Sequence, residues 1–199
     1  MVGELTAAVY GHSHPVILAS VMETLTTVGL NLGATIAQEH VFARELCERF
    51  HIDRVRFTNC GTEANLHALA GARAFTGKRK VVVFAGGYHG GVLSFGGGVA
   101  AANNVDRDDF IVARYNDIDS ARAAIAREGV AAVLVEGMQG ASGAIPGSRK
   151  FLKAVEESAK QVSPGNHDPK RPLPSLPLHG LLDRLLKRPR PASSSSSTR

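Results

Sequence analysis

Cysteine is scarce in this chain of 199 residues: only Cys47 and Cys60 occur, without the paired spacing of a zinc site. A reducing compartment, the cytoplasm by default, is the expected setting in preference to a disulfide between the two. No apolar run approaches the ~20 residues that cross a bilayer, so no membrane partner is expected. The residues after Met1 show no basic stretch followed by an apolar one, so no secretory signal is read. Neither a P-loop nor a dinucleotide fingerprint is present, because the glycine spacing of both is missing. Proline is nearly absent before residue 160, with only Pro15 and Pro146.

Charge of one sign is missing from most of the chain as well. The formal net charge is +5, but residues 1–159 hold 15 Lys+Arg against 16 Asp+Glu, a net of −1. Residues 160–199 hold 8 Lys+Arg against 2 Asp, a net of +6. The body therefore offers no electrostatic case for nucleic-acid binding. The same boundary separates two compositions. Seven of nine prolines lie in the last 40 residues, and Ser193 to Ser197 almost end the chain. Proline removes backbone donors and fixes φ, so residues 161–199 are expected to be a disordered basic tail, with residues 1–160 forming the folded part.

Within 1–160 strands alternate with helices. Helices are predicted over Val16–Val28 behind Pro15, Glu39–Phe50, Ala64–Phe75 ending at Gly77, from Asp117 or Asp119 to Gly129, and Ser148–Lys160. Strands are predicted at Arg54–Thr58, Lys80–Ala85, Phe110–Tyr115 and Val130–Glu136. The near-continuous apolar runs suit a parallel sheet covered on both faces, and the alternating order implies an α/β fold with right-handed crossovers.

Three strand ends carry polar residues. Asn59-Cys60-Gly61-Thr62-Glu63-Ala64 follows the first strand and opens a helix. This arrangement aims free N–H groups and the positive helix end at one point, as a phosphate requires. The same residues also read as an ordinary helix cap, with Thr62 at the capping position. Tyr88-His89-Gly90 follows the second strand, at the carboxyl edge where open α/β sheets place ligands. An aromatic there can lie flat on a planar ring, or simply pack on the surface. Glu136 ends the last strand, and Gly137-Met138-Gln139-Gly140 follows it. His12-Ser13-His14 could pair on a metal, but no acidic or cysteine partner is near in sequence, and no metal site is expected.

The order Gly11-His12-Ser13-His14-Pro15, Asn59-Cys60-Gly61-Thr62-Glu63-Ala64, Tyr88-His89-Gly90 and Val135-Glu136 resembles class III aminotransferases, enzymes dependent on pyridoxal 5′-phosphate (PLP). It is most similar to their glutamate-1-semialdehyde aminomutase-like branch, over about residues 5–160. The resemblance implies part of the large domain of a type I PLP-dependent transferase: a mostly parallel sheet with flanking helices. It implies amino transfer between small amino and carbonyl compounds, and a homodimer in the full-length family. Gly61 and Thr62 would bind the cofactor phosphate, and Tyr88 would stack on the pyridine ring with His89 supporting its loop. Glu136 would lie near the substrate or ring hydroxyl, with Gln139 beside it. Cys60 stands where the family often has Ser or Asn, and Gly137 where it usually has Pro. An Asp for the pyridine nitrogen and a Schiff-base Lys are also implied, further along the chain. After Glu136 the only aspartates are Asp168 and Asp183, and no lysine matches the Schiff-base position. The chain thus resembles a truncated member, expected to be inactive alone, whose Arg54–Thr58 strand would lack its sheet neighbour. The alternative reading is a non-catalytic fragment that binds PLP or phosphate or pairs with a partner.

Overall fold

A computed structural model describes residues 4, 7–30 and 33–162, so the expectation of a disordered tail over 161–199 falls almost wholly outside the described residues. The chain divides at Phe57/Thr58 into two compact units.

The first unit holds helices α1 (Pro15–Thr27) and α2 (Ala37–Phe50). Pro15 opens α1 because its missing N–H is not needed in a first turn. The α2 helix stops where His51 turns left-handed and returns its N–H to the Cys47 carbonyl. Phe42 and Phe57 stack with ring centroids 5.2 Å apart. Neither helix contains a fully buried residue, and Val16, Phe42 and Phe50 stay exposed. The predicted strand at residues 54–58 does not form, since no strand among the described residues pairs with it. An extended segment with apolar side chains becomes a strand only when a neighbour takes its backbone hydrogen bonds.

The second unit contains α3 (Gly61–Thr76), β1 (Lys80–Phe84), β2 (Phe110–Ala113), α4 (Ile118–Ile125), β3 (Val130–Val133), β4 (Met138–Gln139), β5 (Ile145–Pro146) and α5 (Arg149–Val162). The first three strands form a parallel sheet in the order β2-β1-β3, and β4 and β5 form a small antiparallel ribbon. This is an α/β fold with a parallel sheet, as the alternating pattern implied.

Side chains of β1 alternate between the two faces. Val82 and Phe84 join Ile111, Ala121, Ile125, Phe151 and Val155 in a core with α4 and α5. Val81 and Val83 join Leu69 of α3, Leu93 and Phe95 in a second core on the opposite face. Phe151 meets Phe84 at 5.2 Å and Tyr115 at 5.1 Å, both edge to face. The α4 helix is capped by Asp117, whose carboxylate accepts the Ser120 N–H at 2.8 Å and pairs with Arg114. Strands β2 and β3 are shorter than predicted. The β1–β2 ladder ends at Phe84 opposite Ala113, and the backbone beyond it turns into the loops that build the site.

Candidate functional site

At the amino end of α3 the first three N–H groups, of Gly61, Thr62 and Glu63, have no acceptor among the described residues; the helix ladder begins with Ala64 N–H to Cys60 O. Cys60, not Thr62, is the N-cap residue, and its side chain caps nothing. Glu63 reaches back to Asn59, the residue before the N-cap. Its carboxylate accepts the Asn59 N–H at 2.7 Å and the Asn59 side-chain amide at 3.1 Å. Those bonds, the backbone one above all, hold its carboxyl below the usual range. The Thr62 hydroxyl accepts the Gly91 N–H at 3.2 Å, which leaves its own proton free to donate. Three amides, one hydroxyl donor and the positive helix end therefore converge where an anion can bind.

Beyond β1 the chain folds back on itself. Tyr88 bridges to Ser94, His89 N–H reaches Leu93 O at 2.8 Å, and Phe95 N–H reaches Gly87 O at 2.8 Å. Leu93 and Phe95 are fully buried and anchor this turn, and Asn104 bonds both backbone groups of Ser94. The turn lies against α3 at Gly90. Its φ of +137° suits only glycine, and a Cβ there would come within 2.8 Å of the Thr62 Cα. Asn65, one turn along α3 from Thr62, donates to the His89 carbonyl at 2.8 Å.

Tyr88 is 51% exposed, so the face of its ring is available to a planar ligand. His89 is only 7% exposed. Burial lowers its pKa, more than the nearby Glu136 charge restores, so the imidazole is neutral at pH 7.

Glu136 is engaged with backbone. One carboxylate oxygen accepts the Tyr88 N–H at 3.0 Å and the other the Gly140 N–H at 3.2 Å. Its carbonyl accepts the Tyr115 hydroxyl at 2.8 Å. Burial, then the Glu136 charge, raises the Tyr115 pKa and keeps that phenol a donor. Gln139 is 2% exposed and donates to Ala85 O at 2.8 Å, while Ser142 donates to Gly86 O at 2.6 Å. The structure thus brings Gly61, Thr62, Tyr88, His89, Glu136 and Gln139 to one edge of the sheet. Glu136 and Gln139 fasten the Tyr88 loop, and each Glu136 carboxylate oxygen keeps a lone pair beyond the one bond it accepts. Sequence reasoning missed Asn65, Tyr115 and Ser142. Their partners are 24, 21 and 56 residues away, and no local pattern encodes such pairings.

The remaining candidates lie apart in kind. His12 pairs with Glu4 at 3.3 Å, and His14 packs against Tyr10. Among the described residues no group of three His, Cys, Asp or Glu side chains is placed to hold a metal, and no helix is long and apolar enough to cross a membrane. The described lysines are Lys78 and Lys80, before and in β1 at its amino end, and Lys150, Lys153 and Lys160 along α5.

Comparison with known proteins adds a second line of evidence. The sequence profile of the family "Aminotransferase class-III" matches residues 1–163. A β-phenylalanine transaminase of Variovorax paradoxus is 54% identical over 164 residues, which are 81% of this chain and 37% of that protein. A glutamate-1-semialdehyde 2,1-aminomutase of Caldicellulosiruptor saccharolyticus is 35% identical over 162 residues, 76% of this chain and 38% of that protein. Among solved structures, a β-phenylalanine aminotransferase from Variovorax paradoxus superposes with a TM-score of 0.76 at 53% identity, covering 81% of this chain and 37% of the other. A transaminase with PLP bound superposes with a TM-score of 0.72 at 26% identity, covering 80% and 41%. The chain therefore spans about two fifths of the length of these relatives.

Proposed function

From the premise that this chain belongs to the class III aminotransferase family, whose cofactor is PLP, we propose that residues 58–142 hold the phosphate and ring of that cofactor. The observation that carries this reading is the α3 amino end, with three unpartnered N–H groups and the Thr62 hydroxyl beside an exposed Tyr88. The donor set fits a phosphomonoester, which accepts several hydrogen bonds at once. When bound, PLP supplies an electron sink that lets an amino group pass between an amino compound and a carbonyl compound.

Each residue then has a task. Gly61, Thr62 and the Glu63 amide bind the phosphate, and Tyr88 orients the ring by stacking. His89, neutral and buried, supports the Tyr88 loop without adding charge. Glu136 fixes the Tyr88 amide, and Gln139 fixes the exit of β1. Within the family, the 54% identity to a β-phenylalanine transaminase against 35% to an aminomutase favours a β-amino acid as the amino donor over the aminomutase branch that the motifs suggested. The described lysines sit at the amino end of β1 and along α5, so the role proposed for the described residues is restricted to cofactor binding.

Titration calorimetry with pyridoxine 5′-phosphate tests the reading, since this analogue has the ring and phosphate but no aldehyde to react with surface lysines. Saturable 1:1 binding, competed by inorganic phosphate and weakened in Thr62→Val, is expected. Absence of binding overturns the cofactor role. Turnover of β-phenylalanine with PLP and a 2-oxo acid by this chain alone overturns the restriction to binding.

A further inference from the structure

The distance between the anion cradle and the stacking ring is set by a clamp that no motif announces. Thr62 and Asn65 lie three residues apart on α3, so their side chains project from the same helix face. Thr62 takes the Gly91 N–H at 3.2 Å and Asn65 gives a hydrogen bond to the His89 carbonyl at 2.8 Å. The two bonds grip the loop on either side of Gly90, where the missing side chain lets backbone lie directly on the helix. Tyr88 is the residue immediately before the one held by Asn65. From the other side, the Tyr88 amide is held by the Glu136 carboxylate at 3.0 Å.

We propose that Asn65 is a positioning residue: by holding the His89 carbonyl it fixes the Tyr88 ring at the height above the α3 amino end that a ring bearing a phosphate arm requires. This inference rests on the cofactor reading above. Asn65 has no part in holding the phosphate itself, because its side-chain amide is committed to His89 and it lies a turn beyond the free N–H groups. Its loss should therefore be felt by the ring and not by the anion.

Two probes separate these contributions. Inorganic phosphate reports the cradle alone, and pyridoxine 5′-phosphate reports cradle and ring together. Calorimetry is run on the full chain, on Asn65→Ala, on Tyr88→Ala and on the double variant. Asn65→Leu, which keeps the branching at Cγ and is a better helix former, is added as a second substitution. Loss of one such hydrogen bond corresponds to about fivefold in affinity. We expect Asn65→Ala and Asn65→Leu to weaken pyridoxine 5′-phosphate about fivefold and to leave phosphate binding within about twofold. In the Tyr88→Ala background the Asn65 substitution should cost less than about twofold, since there is no ring left to position.

Equal weakening of both probes overturns the proposal, as does an Asn65 effect that persists without Tyr88, or no effect at all. If the unsubstituted chain binds phosphate but holds pyridoxine 5′-phosphate no tighter, Tyr88 is not a ring platform and the cofactor reading falls with the proposal. If that preference is present and Asn65 does not alter it, the proposal alone falls.

Discussion

Replacing Gly90 by alanine adds one methyl group at the point where the Tyr88 loop rests on α3. That carbon would lie 2.8 Å from the Thr62 Cα, a backbone atom that no rotamer change can move. A φ of +137° adds strain of about 1–3 kcal/mol for any L side chain, and overpacking adds about 1–3 kcal/mol more. The chain can avoid the overpacking but not the strain. Lifting the loop breaks the Thr62–Gly91 and Asn65–His89 hydrogen bonds, about 1 kcal/mol each. The stability loss should therefore be about 3–5 kcal/mol, the two bonds plus the persisting φ strain, and ligand binding should weaken with the displaced loop. Gly91→Ala is the matched control, because a Cβ there meets nothing within 4 Å and the Gly91 N–H is retained. The assay is urea unfolding followed by far-UV circular dichroism, with pyridoxine 5′-phosphate titration of both variants. We expect a lower midpoint and at least tenfold weaker binding for Gly90→Ala, with Gly91→Ala within about 0.5 kcal/mol of the parent. Equal behaviour of the two variants would refute the close approach of loop and helix.

Three further outcomes follow from the same geometry. The His89 imidazole should take up its proton below the ordinary value of 6.5, because burial disfavours the charged ring. The unfolded chain then binds that proton first, so its contribution to stability is full above about pH 6.5 and declines as pH falls through that value; NMR titration showing protonation at or above 6.5 would contradict this. Asp117→Ala removes the cap on α4 and should cost about 1 kcal/mol in urea unfolding, whereas a loss under about 0.3 kcal/mol would show that the cap is idle. Phe151→Ala empties a site with 0% exposure between Phe84 and Tyr115 and should cost about 3–5 kcal/mol, enough to abolish a cooperative transition if the unit is marginal.

Three of the five helices were legible from local punctuation: Pro15 at the start of α1, Gly77 after α3, Asp117 before α4. Strands β1 to β3 were legible as apolar runs, but their ends were not. A strand stops where its partner's ladder stops, as at the Phe84–Ala113 pair, and that is a property of two segments. Residues 54–58 carry the strand pattern and have no partner among the described residues, so the pattern alone misled. The site was half legible. Thr62 and Tyr88 stand in recognisable local settings, and the assignment of Thr62 as a cap failed because the helix begins one residue before it. The resemblance placed Glu136 near the substrate or ring hydroxyl; the bonds its carboxylate accepts from the Tyr88 and Gly140 amides were not legible. No sequence pattern distinguishes a carboxylate facing a ligand from one facing backbone.

The hydroxyl of Tyr115 bonds the Glu136 carbonyl while its ring packs on Phe151 and Phe84. One side chain therefore belongs both to the core beneath α5 and to the strut that holds Tyr88. Loosening of α5 is therefore expected to be felt at the Glu136 backbone through that phenol. The amide proton of Tyr88, protected by the Glu136 carboxylate, becomes a gauge of helix docking that can be read by hydrogen exchange without any ligand.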